Sequence, residues 1–68
     1  MTTKKKKYRF YYLKRDRNIF IRIKGDKIEY MRIDRRPIWL NEGLDMEWWK
    51  NVRNFYKRVT EQEMALMM

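Results

Sequence analysis

The first half of the chain alternates between apolar and polar side chains in the manner of β-strands. Residues 8–14 are rich in aromatic side chains, and residues 19–24 place isoleucine at every second position. Residues 28–33 continue the pattern. Because successive side chains of a strand point to opposite faces of a sheet, these segments are predicted to be antiparallel strands.

Short polar segments separate the predicted strands. Residues 15–18 are typical of a turn, and Gly25-Asp26 is typical of a two-residue hairpin turn, since glycine readily adopts a positive φ. Residues 34–37 end in a proline, which confines a following strand at residues 38–40 to a sheet edge. The pattern predicts three to four strands in total.

The alternation also predicts how the strands pair. If Tyr12 lies opposite Ile21 and Ile23 lies opposite Ile28, apolar side chains gather on one face, and Arg22 meets Glu29 as an ion pair on the other. A shift of one residue would mix the two sets, so the pattern favours this register. The predicted core face consists of Phe10, Tyr12, Ile19, Ile21, Ile23, Ile28 and Tyr30. The opposite face consists of Arg9, Tyr11, Leu13, Phe20, Arg22, Lys24, Glu29 and Met31.

The periodicity then changes to that of a helix. Asp45 is suited to the N-cap, and Glu47 is suited to the positively polarised first turn. Apolar side chains follow at helical spacing, which predicts one amphipathic helix over residues 46–63, with residues 64–68 fraying or docking. We therefore expect an α+β domain over residues 8–68, in which the sheet precedes a single C-terminal helix, and a disordered basic arm over residues 1–7.

Charge changes the picture more than any single motif. Among 68 residues, 18 Lys and Arg oppose nine Asp and Glu, giving a net charge of +9. Such an excess favours a polyanion as partner, although a merely well-solvated surface is the alternative. Within the arm, a run of cations is suited to gripping phosphates or to serving as a nuclear import tag. That run consists of Lys4, Lys5, Lys6 and Lys7.

Several kinds of chemistry are excluded by composition. The sequence contains no Ser, His or Cys, so Ser–His and Cys–His nucleophiles, zinc sites and disulfides are ruled out. Two glycines form no phosphate-binding loop, and the Asp residues fall at predicted turns. We expect no enzyme activity, cofactor or metal. With neither a membrane span nor a signal sequence, we expect a soluble intracellular protein, cytoplasmic or nucleoid-associated, or nuclear in a eukaryote.

The cationic sheet face suggests a binding surface. Arg9, Arg22 and Lys24 are predicted to alternate with Tyr11 and Phe20, as cations and rings do where single-stranded nucleic acid is held. The alternative is that the apolar members of this face form a second core, covered by the helix or by a partner.

The predicted helix has more apolar surface than one sheet face can cover. A chain this short has a thin core, and self-association is a common remedy. We therefore expect a homodimer, although simple core packing and adsorption to a membrane surface are the alternatives. The predicted interface consists of Trp48, Trp49, Val52, Phe55, Tyr56 and Val59.

Residues 44–52 (Leu-Asp-Met-Glu-Trp-Trp-Lys-Asn-Val) resemble the start of the helix in the positive-cofactor-four family of transcriptional coactivators. The family's segment is Leu-Asn-Pro-Glu-x-Trp-x-x-Leu. Leu44, Glu47 and Trp49 are identical to the family residues at their positions, while Asp45 stands in place of the Asn and Val52 in place of the final Leu. The resemblance implies a curved four-stranded sheet, dimerisation through helices, and single-stranded DNA bound across the sheet. The family's fourth-strand pattern, Lys-x-Gly-Ile-x-Leu, is replaced by Pro-Ile-Trp-Leu, so only the general placement of the ligand is carried over.

Together these features predict a non-catalytic protein that binds nucleic acid, single-stranded DNA in preference to RNA, in transcription, replication or repair. The alternative is a protein–protein adaptor whose basic surface docks on an acidic patch of a polymerase or similar machine.

Overall fold

A computed structural model describes residues 8–67. It contains a five-stranded antiparallel sheet and two short helices, which confirms the α+β class with one strand more than the predicted four. Residues 1–7, the predicted arm, lie outside the described residues. The elements are β1 (Arg9–Leu13), β2 (Asp16–Lys24), β3 (Lys27–Arg32), β4 (Arg36–Leu40), α1 (Met46–Val52), a 3₁₀ turn (Arg53–Phe55), β5 (Tyr56–Val59) and α2 (Glu61–Met67).

The strands lie in the order β4-β3-β2-β1-β5. The first four form a meander, and β5 returns to pair with β1 on its free side, with Phe10 opposite Val59. Both edge strands are short, and β4 contains Pro37, which has no N–H to offer. The chain therefore leaves little open edge for further strands to join.

The predicted pairing of the second and third strands is confirmed. Ile23 lies opposite Ile28 and Lys24 opposite Lys27. Arg22 lies opposite Glu29, and its Nε donates to a Glu29 carboxylate oxygen at 2.7 Å. The tight turn at Gly25, with φ of 64°, fixes this hairpin.

The predicted pairing of the first two strands is wrong by one residue. Tyr11, rather than Tyr12, lies opposite Ile21, and the ladder is then interrupted between Tyr12 and Leu13. β2 begins earlier than predicted, at Asp16, in a bulged segment where the Asp16 carboxylate accepts the Asn18 N–H at 3.0 Å. As a result, β1 presents the opposite set of side chains to each face.

Both faces of the sheet are apolar, so the protein has two small cores. One lies beneath α2 and the other beneath α1, and the shift in β1 puts aromatic side chains into each. The α2-side core is built from Phe10, Phe20, Met31, Val59 and Met64. The α1-side core is built from Ile21, Ile23, Ile28 and Trp49, with Tyr11, Tyr30 and Tyr56 packed against it.

The single helix predicted over residues 46–63 is also wrong. Its first part forms α1, capped as expected by Asp45, whose carboxylate accepts the Trp48 N–H at 2.8 Å. The next residues include Asn54, two aromatic side chains and Val59, which are weaker helix formers, and the aromatic and β-branched ones favour strand; they form the 3₁₀ turn and β5. The Lys14 N–H donates to the Phe55 carbonyl at 2.9 Å and ties this segment to β1.

A second helix start follows β5. The Thr60 hydroxyl accepts the Glu63 N–H at 3.0 Å, while the Glu63 carboxylate accepts the Thr60 N–H at 2.9 Å. This reciprocal pair is a capping box, which satisfies two backbone donors at once. It begins α2, which places Met64 on the α2-side core.

Candidate nucleic-acid interface

The predicted binding face does not form as one surface. Phe20 is 0% exposed in the α2-side core, so its ring is not accessible to a base. Tyr11 and Arg9 lie on the opposite face, because β1 is shifted relative to β2. The alternative of a second core face is confirmed for Phe20 and Met31.

Two of the predicted cations remain together beside different aromatic partners. The Arg22 guanidinium carbon lies 4.4 Å from the ring centre of Tyr8 and 4.6 Å from that of Trp39. The Lys24 ammonium lies 5.2 Å from the Tyr8 ring centre. Glu29 pairs with Arg22, so the charge of Arg22 is offset by a carboxylate, whereas Lys24 has only the aromatic contact among the described ion pairs and ring contacts.

A group of three exposed cations lies on the α1 side. Here β1, α1 and the 3₁₀ turn enclose a shallow groove. Arg9 comes from β1, Lys50 from α1 and Arg53 from the 3₁₀ turn, and all three are exposed. We call this the basic groove. Its other lining residues are Tyr11, Met46, Trp49 and Asn54.

No carboxylate lines the basic groove, within the part of the chain that the structure describes. The grooves beside α2 include Glu63, and the groove beside β3 includes Asp26 and Glu29. Ion pairs among residues 8–67 involve only Arg22 and Arg32 as cations, so the groove cations have no acidic partner there. Arg9 also lines the groove that contains Glu61 and Glu63, whereas Lys50 and Arg53 line only the basic groove among these, so an anion there would meet mainly positive charge.

Aromatic rings form the floor of the basic groove and hold it in shape. The ring centres of Tyr11 and Trp49 lie 4.7 Å apart, and those of Trp49 and Tyr56 lie 5.3 Å apart. Trp49 is 5% exposed, and burial raises the pKa of the Tyr56 hydroxyl above its ordinary value, so that group is neutral. The floor is thus a packed support that leaves the cations at the rim.

The predicted dimer residues do not share one surface. Trp49 and Val59 are buried in the two different cores, while Phe55 is exposed on the 3₁₀ turn. Trp48, Val52 and Tyr56 pack in part against the α1-side core. Because the predicted helix is interrupted, its apolar side chains are divided between the two faces of the sheet, and neither face has to cover all of them. Dimerisation itself stays a prediction.

Sequence reasoning missed Lys50 and Arg53 as binding candidates. Residues 48–60 carry four cations and no acid, which was a usable signal. Because these residues were predicted to form one helix, their cations were assigned to its solvent-exposed face. Lys4, Lys5, Lys6 and Lys7 lie outside the described residues, so their predicted role in binding has no structural counterpart here.

Comparison with protein-family models, curated proteins and solved structures found no match to this chain. Within residues 8–67, no three carboxylates come together as metal ligands, and neither helix has the length and apolar character needed to cross a membrane. The basic groove is thus the feature of the described chain on which a functional proposal can be based.

Proposed function

We propose that the protein binds nucleic acid without catalysing a reaction, and that it grips backbone phosphates in the basic groove. The observation that carries this proposal is the convergence of Arg9, Lys50 and Arg53, from three separate elements, on a groove without a carboxylate. Phosphates are the commonest polyanionic partner of such an arrangement, because cation contacts release counterions from the nucleic acid.

The groove chemistry favours contact with phosphates over recognition of bases. Trp49 is buried, and the half-buried Tyr11 ring packs against it with ring centres 4.7 Å apart, so neither ring is fully open to a base. Arg9 and Arg53 present guanidinium groups, which suit bidentate contacts with phosphate oxygens. Binding through this groove should therefore depend strongly on salt and weakly on sequence.

The test is a titration of wild type and a triple variant with labelled oligonucleotides at several salt concentrations. Arg9→Gln, Lys50→Gln and Arg53→Gln together remove three phosphate contacts. Each contact with a single-strand phosphate contributes about 0.7 to the slope of log K against log salt, so the slope of the triple variant should be shallower by about 2. An unchanged slope would refute the assignment to this groove.

A matched control removes the same charge elsewhere. Lys27, Arg35 and Arg36 are exposed on β3, β4 and the turn between them, which β2 separates from β1. Replacing these three with Gln lowers the net charge equally, so it corrects for long-range electrostatics. The control variant should retain most of the salt slope, since its cations lie outside the groove.

The protein–protein adaptor remains the competing function, because an acidic protein surface would also suit the basic groove. Single-stranded DNA, duplex DNA and RNA should be compared at low salt. Absence of binding to all three would contradict the nucleic-acid proposal and favour the adaptor. Preference for DNA over RNA, and a role in transcription, replication or repair, stay predictions from the sequence.

A further inference from the structure

Phe55 is exposed immediately beyond the wall of the basic groove. Its side chain is 53% exposed at the end of the 3₁₀ turn. Arg53 and Asn54, the two preceding residues, line the groove, and successive Cα atoms lie about 3.8 Å apart. The Cα atom of Phe55 therefore lies within about 7.6 Å of the Cα atom of Arg53, close enough for one nucleic-acid strand to contact both residues.

The turn that carries Phe55 is anchored at two points. The Lys14 N–H donates to the Phe55 carbonyl at 2.9 Å, and the Lys14 ammonium donates to the Asn54 carbonyl at 3.1 Å. These bonds fix the backbone to the β1–β2 turn, where Arg15 is also exposed. A ring held on a fixed backbone loses less conformational entropy when it stacks than a ring on a flexible loop.

The ring is set apart from the other aromatic side chains around it. The ring contacts of α1 and β5 join Trp48, Trp49 and Tyr56 to one another, and none of them involves Phe55. Single exposed apolar residues are common on proteins and need no function by themselves. Here Arg53 precedes the ring by two residues, and the Lys14 ammonium is bonded to the Asn54 carbonyl next to it. Cations near an exposed ring are the combination that unpaired bases and their phosphates require.

We propose that Phe55 stacks on an unpaired base of a strand whose phosphates lie in the basic groove, so that the protein prefers single strands to duplexes. This inference rests on the proposed function and adds the base-contacting residue to it. A base within a duplex is already stacked on both sides, so only an unpaired base offers a free face to Phe55. Contact with the ring requires no particular base, and little sequence preference is expected.

The experiment compares Phe55→Ala with wild type on single-stranded and duplex DNA of equal length at constant salt. Single-strand affinity should fall about 5- to 150-fold, the range for loss of one stacked base. Duplex affinity and the salt slope should hold, because the groove cations are intact. Phe55→Tyr, which keeps the ring, should retain single-strand binding, whereas Phe55→Leu should not.

The outcomes separate this inference from the proposed function. If no nucleic acid binds wild type, both fail. If wild type binds but Phe55→Ala weakens single-strand and duplex binding equally, or weakens neither, the stacking role alone is overturned. If Phe55→Ala instead dissociates an oligomer, measured by light scattering without DNA, the ring serves a protein interface and the inference is wrong. Ile38→Ala, which changes an equally exposed apolar residue on β4, is the matched control.

Discussion

Replacing Phe20 by Ala should nearly unfold the protein. Phe20 is fully buried on the central strand β2, with Tyr12 opposite it on β1 and Met31 opposite it on β3. Removing a buried phenyl ring costs about 3–5 kcal/mol, from lost transfer free energy and from the cavity left behind. The neighbouring strands are hydrogen-bonded to β2 on both sides, so the backbone has little freedom to collapse into the space.

That cost is large against the total stability of so small a domain. At about 0.05–0.15 kcal/mol per residue, a chain of this length has a free energy of unfolding of roughly 3–10 kcal/mol. Urea denaturation, followed by tryptophan fluorescence, measures the change directly. Ile38→Ala, at 50% exposure on the edge strand, should change stability by only about 0.5 kcal/mol.

A second variant at Phe20 tests whether this residue serves only in the core or also binds nucleic acid. Phe20→Leu keeps most of the apolar volume, so this variant should stay folded while lacking an aromatic ring. If Phe20 packs only in the core, the folded Leu variant binds single-stranded DNA as wild type does. A loss of less than about 1 kcal/mol in Phe20→Ala, or a clear loss of affinity in Phe20→Leu, would refute the reasoning.

The positions of the first four strands were predictable from the sequence, but β5 and the facing of β1 were not. Side-chain alternation located β2 and β3 and their register, because Gly25 fixes the hairpin between them. Both sides of β1 are aromatic, with Phe10 and Tyr12 on one and Tyr11 on the other, so either facing suits the pattern. The bulge after Asp16 then decided the register, and bulges have little signature in a single sequence.

The sequence of the C-terminal elements contains a helix-start motif, which is easily overlooked because the apolar residues around it have helical spacing. Thr60 and Glu63 have the spacing of a capping box, which marks a helix start in the middle of the predicted helix. Recognising it would have separated α2 from α1 and shown that the intervening residues favour strand. The basic groove could not be predicted without that division, because Arg53 lies on the turn that joins the two parts.

Three further predictions concern the capping box and self-association. Thr60→Ala should lower the free energy of unfolding by about 1 kcal/mol through loss of the α2 cap, whereas Gln62→Ala, exposed on the same helix, should have little effect in urea denaturation. The hydrogen bond from the Thr60 N–H lowers the pKa of the Glu63 carboxyl below its ordinary value of 4.5. Its contribution to stability is therefore complete above that value and is lost as pH falls through the folded-state pKa; a Glu63→Gln variant with unaltered acid sensitivity would contradict this. For the predicted homodimer, light scattering should give the mass of two chains, and a stable single-chain mass at micromolar concentration would exclude it.

The division of the sheet between two cores limits where a ligand can lie. The family resemblance implies an open sheet face that receives DNA, yet α1 covers one face in part and α2 the other. Aromatic side chains that would otherwise meet bases are committed to these cores, because a domain this small must use most of its large apolar residues for folding. Cations cannot be buried without partners, so those of the basic groove lie exposed at the start of β1, on α1 and on the 3₁₀ turn. A bound strand would accordingly follow the rim of the α1 side, and Phe55 is the exposed ring that this path would meet.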